Sequence, residues 1–256
     1  MKLSALIGIW IGVPVFFAIN GLAGGNMEKM KIQTIVVFGD STTAVRGKLE
    51  IYANLLADEL PARGIPAEII NAGIGGNTTQ HAAGRFEKDV LEKQPDLVVI
   101  QFGINDSAVD VWENPPARES RVSKDQYIRN LENFVETLKT RNCRVILMTP
   151  NPIYWTPLMK STYGKAPYLP DDPEGFNVML REYAQAARQL AEKRKIPLVD
   201  VYAVFSAYGK VKNQNIKDLL LDGMHPNDKG HRIVADLLIN EIVKLNNGRG
   251  KKDIAK

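Results

Sequence analysis

The sequence predicts an α/β fold in three layers, a five-stranded parallel sheet between helices. Three observations carry this. Strand-like and helix-like segments alternate along the chain. The strand-like segments are continuous apolar runs rather than alternating ones, as strands buried on both faces must be. Residues with reactive side chains follow directly after strands, where open parallel sheets form their sites.

The first strand is predicted at residues 33–38, an apolar run ending at Gly39-Asp40. A helix follows at 50–60, where Ile51, Leu55 and Leu56 recur at helical spacing. The second strand, 67–70, stops at Asn71-Ala72-Gly73, and a helix is predicted at 79–91. Pro95-Asp96 opens the third strand, 97–102. Tyr127, Ile128, Leu131, Phe134, Val135 and Leu138 set a helix at 124–140. The fourth strand, 144–148, is closed by Thr149-Pro150. It follows Cys143, the sole cysteine, which reads as a buried structural thiol and excludes an intrachain disulfide. A helix at 176–193, a fifth strand at 197–201 and a last helix at 228–245 complete the series. The segment 151–175 breaks the rhythm with five prolines and with Tyr154, Trp155, Tyr163 and Tyr168. A loop of this length in a compact domain is usually functional.

Gly39-Asp40-Ser41 ends the first strand and presents a hydroxyl at the mouth of the sheet. Gly103-Ile104-Asn105-Asp106 ends the third, where an Asn amide can donate to a developing oxyanion, as can a backbone N–H near Gly76. Asp222-Gly223-Met224-His225 precedes the last helix. An Asp three residues before a His can hold the ring through Nδ1 and aim Nε2 outward, the arrangement acyl transfer needs. Taken singly, each block also reads as a turn or a helix cap. Gly73-Ile74-Gly75-Gly76 is not a dinucleotide fingerprint, since Thr78 stands where its last Gly belongs. The Gly-x-Ser-x-Gly elbow of α/β-hydrolases is absent, because Thr43 replaces its second Gly.

Together these blocks resemble the SGNH (GDSL) hydrolase family, over about residues 32–245. The resemblance implies the flavodoxin-like version of the three-layer fold. It implies a serine esterase without cofactor, with Ser41 as nucleophile, His225 as base and Asp222 as triad acid. Ser41, Gly76 and Asn105 would supply the oxyanion donors. Two departures blur the subfamily: Thr42 stands where Leu commonly follows the Ser, and Asn77 where Asp is frequent.

Composition bounds the partners. A net charge of +4, with no internal basic run interleaved with aromatics, argues against nucleic acid. Three His and one Cys are too few for a metal cluster. Lys2, an apolar stretch at 3–19 and small residues to Gly25 predict a signal peptide over 1–23 or a retained N-terminal anchor. No cysteine lies near enough for lipid modification there. The hydrolase domain is then 28–246, followed by a disordered basic tail at 247–256, in a secreted, periplasmic or envelope-attached protein whose membrane contact is limited to that anchor. With this address, the aromatic segment points to an acetylated saccharide or small ester, with Tyr154, Trp155 and Tyr168 against the sugar ring. A lipid acylhydrolase, a lysophospholipase-like enzyme, a thioesterase, or a non-catalytic carbohydrate-binding protein on the same fold are the alternatives. The oligomeric state is not legible.

Overall fold

The computed structural model describes residues 31–248. The expected signal or anchor segment and the tail beyond 248 lie outside the described residues. Five strands form one sheet: β1 (Thr34–Gly39), β2 (Glu68–Gly73), β3 (Leu97–Gln101), β4 (Arg144–Met148) and β5 (Leu198–Val199). Their order is β2-β1-β3-β4-β5, all parallel. The chain steps one way from β1 to β2 and the other way from β1 to β3, so the crevice between β1 and β3 is a topological switch point.

The helices are α1 (Tyr52–Glu59), α2 (Thr79–Ala83), α3 (Phe86–Asp89), α4 (Ile104–Ser107), α5 (Lys124–Thr140), α6 (Pro157–Tyr163), α7 (Leu180–Arg194), α8 (Val201–Tyr208) and α9 (Asp228–Gly248). Alternate residues of β1 divide between two cores. Ile35 and Val37 face α1, α8 and α9, while Val36 and Phe38 face α2, α3, α5 and α7. Every residue of β3 and β4 is buried, which explains the four consecutive apolar residues in each, beside Gln101 and Arg144 at their ends. On the second face Phe38 meets Phe86, Phe102 and Phe134 at centroid distances of 5.6, 5.2 and 5.5 Å. Burying such a side chain stabilises by roughly 1.5–3 kcal/mol, so the sheet is anchored chiefly by apolar packing and the site is carried on its ends.

β2 runs on through Gly73 and the helix predicted at 176–193 begins as a 3₁₀ turn at 175–177 before α7, and three further elements differ more from expectation. The helix predicted at 79–91 is broken into α2, α3 and a 3₁₀ turn. Arg85 stands at the break, and its guanidinium reaches back to the Ala72 and Gly39 carbonyls at 2.8 and 3.0 Å. The strand predicted at 197–201 is two residues long, because the Asp200 side chain accepts from Ala203 N and starts α8, a helix the apolar pattern had hidden. The segment 151–175 is not loop throughout: Thr156 caps α6, with Pro157 at its first position.

Candidate active site

The turn after β1 is built by close approach. A Cβ on Gly39 would sit 2.1 Å from Thr43 Oγ1 and 2.9 Å from the Gln101 carbonyl, so only glycine fits. The Asp40 carboxylate accepts from both Thr42 N and Thr42 Oγ1 at 2.8 Å. The Asp40 carbonyl accepts from the backbone of Thr43 and Ala44. Thr43 Oγ1 lies 2.9 Å from Tyr52 Oη on α1. These bonds fix every neighbour of Ser41 and leave its hydroxyl facing the crevice.

The loop after β2 is tied to the same turn. Asn71 donates to the Thr43 carbonyl at 2.8 Å, and Ile74 N to the Gly39 carbonyl at 3.1 Å. Arg85 adds a bond from Nε to Asn77 Oδ1 at 2.7 Å. It thus joins the ends of β1 and β2 to the Gly76-Asn77 turn, a positioning role with no sequence signature. After β3, Gly103 adopts φ +136°, which a side chain resists, with Pro150 close against it. Asn105 follows, donating from Nδ2 to the Asn77 carbonyl at 3.1 Å. Its neighbour Asp106 is fully buried and accepts from Thr79 N at 2.8 Å. Burial raises the Asp106 carboxyl to about 6, against the Thr79 hydrogen bonds that lower it.

The turn before α9 completes the site. His225 Nε2 lies 2.9 Å from Ser41 Oγ, and His225 Nδ1 lies 2.8 Å from Asp222 Oδ2. A carboxylate beside Nδ1 keeps the ring proton there, so Nε2 is left to accept from the serine. Asp222 Oδ1 also accepts from the backbone N–H groups of Met224 and His225 at 3.1 and 2.9 Å. Partial burial pushes the Asp222 carboxyl up, but the His225 ring and these backbone donors outweigh it and hold it well below the usual carboxylate range. The turn is anchored from β4's end, where buried Asn151 donates to the Met224 carbonyl at 2.9 Å.

Ser41, Gly76, Asn105 and His225 line one cavity of about 340 Å³. The backbone N–H groups of Ser41 and Gly76 have no hydrogen-bond partner among the described residues. The far wall is apolar: Ile104, Ile153, Phe176, Met179, Leu180 and Met224. The three aromatics expected to bind substrate separate. Tyr168 lines this cavity but is buried, its hydroxyl accepting from Val109 N at 2.8 Å, and burial pushes its phenol up to about 12. Tyr154 and Trp155 instead line a neighbouring cavity of about 500 Å³, which shares Ile153 with the first. Trp155 stacks on Phe176 at 4.3 Å, so one of its faces is spent within the protein. Tyr163, one of the aromatics of the 151–175 segment, also lines this cavity, as do Arg46 and Arg121, which the sequence did not mark. Among the described residues no group of three His, Cys, Asp or Glu is placed to hold a metal ion.

The GDSL-like Lipase/Acylhydrolase family model matches residues 37–233, more than half of the chain and all of the blocks above. The chain belongs to that family. GDSL-type hydrolases are esterases, and the chain is similar to two curated relatives. It is 34% identical over 228 residues to the uncharacterized lipoprotein YqeF of Bacillus subtilis, covering 80% of this chain and 87% of that one. It is 30% identical over 199 residues to an acetylxylan esterase of Geobacillus stearothermophilus, covering 77% and 80%. Among solved structures, Axe2, an acetylxylan esterase of Geobacillus stearothermophilus, superposes with a TM-score of 0.66 at 27% identity, over 84% of this chain and 96% of that one. The GDSL fold is therefore the one observed here, a five-stranded parallel sheet between helices.

Proposed function

We propose that this GDSL esterase hydrolyses acetyl esters of carbohydrate through a Ser41-His225-Asp222 triad. The observation that carries the reading is the unbroken contact from Ser41 Oγ through the His225 ring to Asp222, at 2.9 and 2.8 Å, opening on a cavity. His225 takes the Ser41 proton as Oγ attacks the ester carbonyl. The resulting oxyanion is received by the Ser41 and Gly76 N–H groups, with the Asn105 amide turning from the Asn77 carbonyl. His225 returns the proton to the leaving alcohol. A water molecule, deprotonated by the same ring, then attacks the acyl-serine; the acyl–Oγ bond breaks, His225 returns the proton to Ser41 Oγ, and acetate leaves. Asp222 stays ionised throughout and stabilises the imidazolium.

The carbohydrate part draws support from the similarity to an acetylxylan esterase. The solved acetylxylan esterase Axe2 has catalytic mutants at one serine, one aspartate and one histidine, the aspartate three positions before the histidine as here. The apolar far wall favours a second reading, an esterase for longer acyl chains. Rates on 4-nitrophenyl esters from acetate to decanoate separate the two: acetate leads in the first reading and longer chains in the second. No turnover of any ester would leave a binding protein on a hydrolase fold. We place the protein outside the cytoplasm, on the strength of its N-terminal sequence and a lipoprotein relative. Among the described residues no helix is long and apolar enough to cross a membrane.

A further inference from the structure

Two guanidinium groups line the catalytic cavity, and their circumstances differ. Arg121 is neutralised by a two-pronged pairing with Asp110, its Nε 2.8 Å from Oδ2 and its Nη2 2.6 Å from Oδ1. Arg46, half-buried and five residues after Ser41, has no hydrogen bond or ion pair to its side chain among the described residues. No Asp or Glu lines the cavity. Asp222, Asp110, Asp40 and Asp228 are each bonded to another group: His225, Arg121, Thr42 and the Glu50 backbone N–H. Arg46 also lies close enough to His231 to disfavour a charge there. A partly buried cation with no counter-ion, beside a nucleophile, is unfavourable in the free enzyme and is relieved by an anion supplied from outside.

We propose that Arg46 is a specificity-determining residue that engages a carboxylate carried by the substrate. A guanidinium presents a planar fork that matches a carboxylate in two parallel hydrogen bonds. One unpaired positive charge balances one carboxylate rather than a dianionic phosphate. The substrate class is thus an acetyl ester on an acidic sugar, the carboxylate held at the Ser41 side of the cavity and the rest of the molecule against the apolar wall. This inference rests on the ester-hydrolase reading and adds the charge of the substrate to it.

The test compares O-acetylated methyl glucuronoside with O-acetylated methyl glucoside, a pair differing only by a carboxylate, with 4-nitrophenyl acetate as reference. The native enzyme should favour the uronoside in kcat/KM by at least about tenfold, as a charge-assisted hydrogen-bonded pair supplies. Arg46→Gln should bring that ratio close to one, while Arg46→Lys, which keeps the charge but not the fork, should fall between. Free glucuronate should inhibit 4-nitrophenyl acetate hydrolysis by the native enzyme more strongly than methyl glucoside does, a readout that needs no variant to fold. A native ratio near one, equal inhibition by the two sugars, or a preference that survives in Arg46→Gln overturns the proposal. Failure to hydrolyse 4-nitrophenyl acetate at all would instead remove the esterase reading beneath it.

Discussion

Residues 39–44 and residues 151–177 border the same cavity and are held by different forces. In the first segment nearly every polar group is spent. Asp40 binds Thr42, Thr43 binds Tyr52, Asn71 binds the Thr43 carbonyl, and Arg85 binds the Gly39 carbonyl. Such bonds contribute about 1 kcal/mol each, but their directions leave Ser41 one geometry. The second segment has hydrogen bonds at its ends, Asn151 to the Met224 carbonyl and Asn177 to both backbone groups of Ile153, but between them its contacts are mainly rings. Trp155, Tyr163, Tyr168 and Phe176 pack at centroid distances of 4.3 to 6.3 Å, stacked, tilted or edge-on. Ring pairs accept stacked, tilted and edge-on arrangements alike, all of which occur here, so this wall is less strictly oriented than the hydrogen-bonded turn. The chemistry therefore sits on the directional side of the cavity and the choice of substrate on the adaptable side.

The sharpest way to break this comparison is at the nucleophile. Ser41→Ala should lower kcat on 4-nitrophenyl acetate by about 10⁶ with little change in melting temperature, and near-native turnover would refute the triad. Asp222→Asn keeps the turn but lets the His225 ring take the wrong tautomer, so kcat should fall about 10⁴-fold. A loss below tenfold would mean that the backbone alone orients the ring. Asn105→Ala should cost roughly 10²–10³ in kcat with KM nearly constant. A rise in KM at constant kcat would move Asn105 from the oxyanion site to substrate binding.

Two smaller effects test what supports each wall. His231 is buried under the Ser41 turn, its Nδ1 accepting from Tyr52 N at 3.3 Å, and burial lowers its ring to about 4. The folded protein therefore refuses a proton that the unfolded chain accepts below its ordinary value. Stability should be lost as pH falls from about 6.5 to about 4. Asp106, whose carboxyl is raised by burial to about 6, acts in the opposite sense over most of that range. Melting curves of native and His231→Gln protein isolate the histidine: the variant should lose less stability on acidification, and parallel curves would dismiss the effect. Trp155→Ala removes the ring stacked on Phe176 without touching Ser41. It should reduce kcat/KM on 4-nitrophenyl acetate only a few-fold and on an acetylated oligosaccharide more. Equal loss on both would show that the aromatic wall serves catalysis as well as selection.

The directional side was also the more legible one in the sequence. The α5 and β4 boundaries fall at the predicted residues, because Ser123 caps the helix and Asn142, at φ +58°, ends the turn after it. Ser41, Asp222 and His225 could be singled out because each sits in a short block whose spacing reflects one turn of chain. What stayed hidden depends on contacts between distant segments. Arg85 breaks a helix because it reaches two strand ends, and Asp200 shortens β5 because Arg188 and Thr149 bind its side chain. Phe176 lies not in the helix its spacing predicts but in a 3₁₀ turn on the cavity wall. Tyr154 and Trp155, expected against the sugar at the reacting site, stand in the adjoining cavity. Arg46 has no periodicity to betray it, and only its missing partner in the fold marks it.

The proposed nucleophile, Ser41, and its proposed base, His225, are separated by 184 residues. Ser41 is synthesised among the first elements of the domain, and His225 arrives only with the turn that starts α9. A growing chain therefore carries an unarmed serine until almost its last helix has been made, and closing so distant a contact is a slow step in folding. Hydrolytic activity is thus a report on completion: a chain terminated before Asp222 would retain the Ser41 turn and the residues of all five strands yet lack both Asp222 and His225, so premature termination there yields an inert protein rather than a poorly controlled esterase.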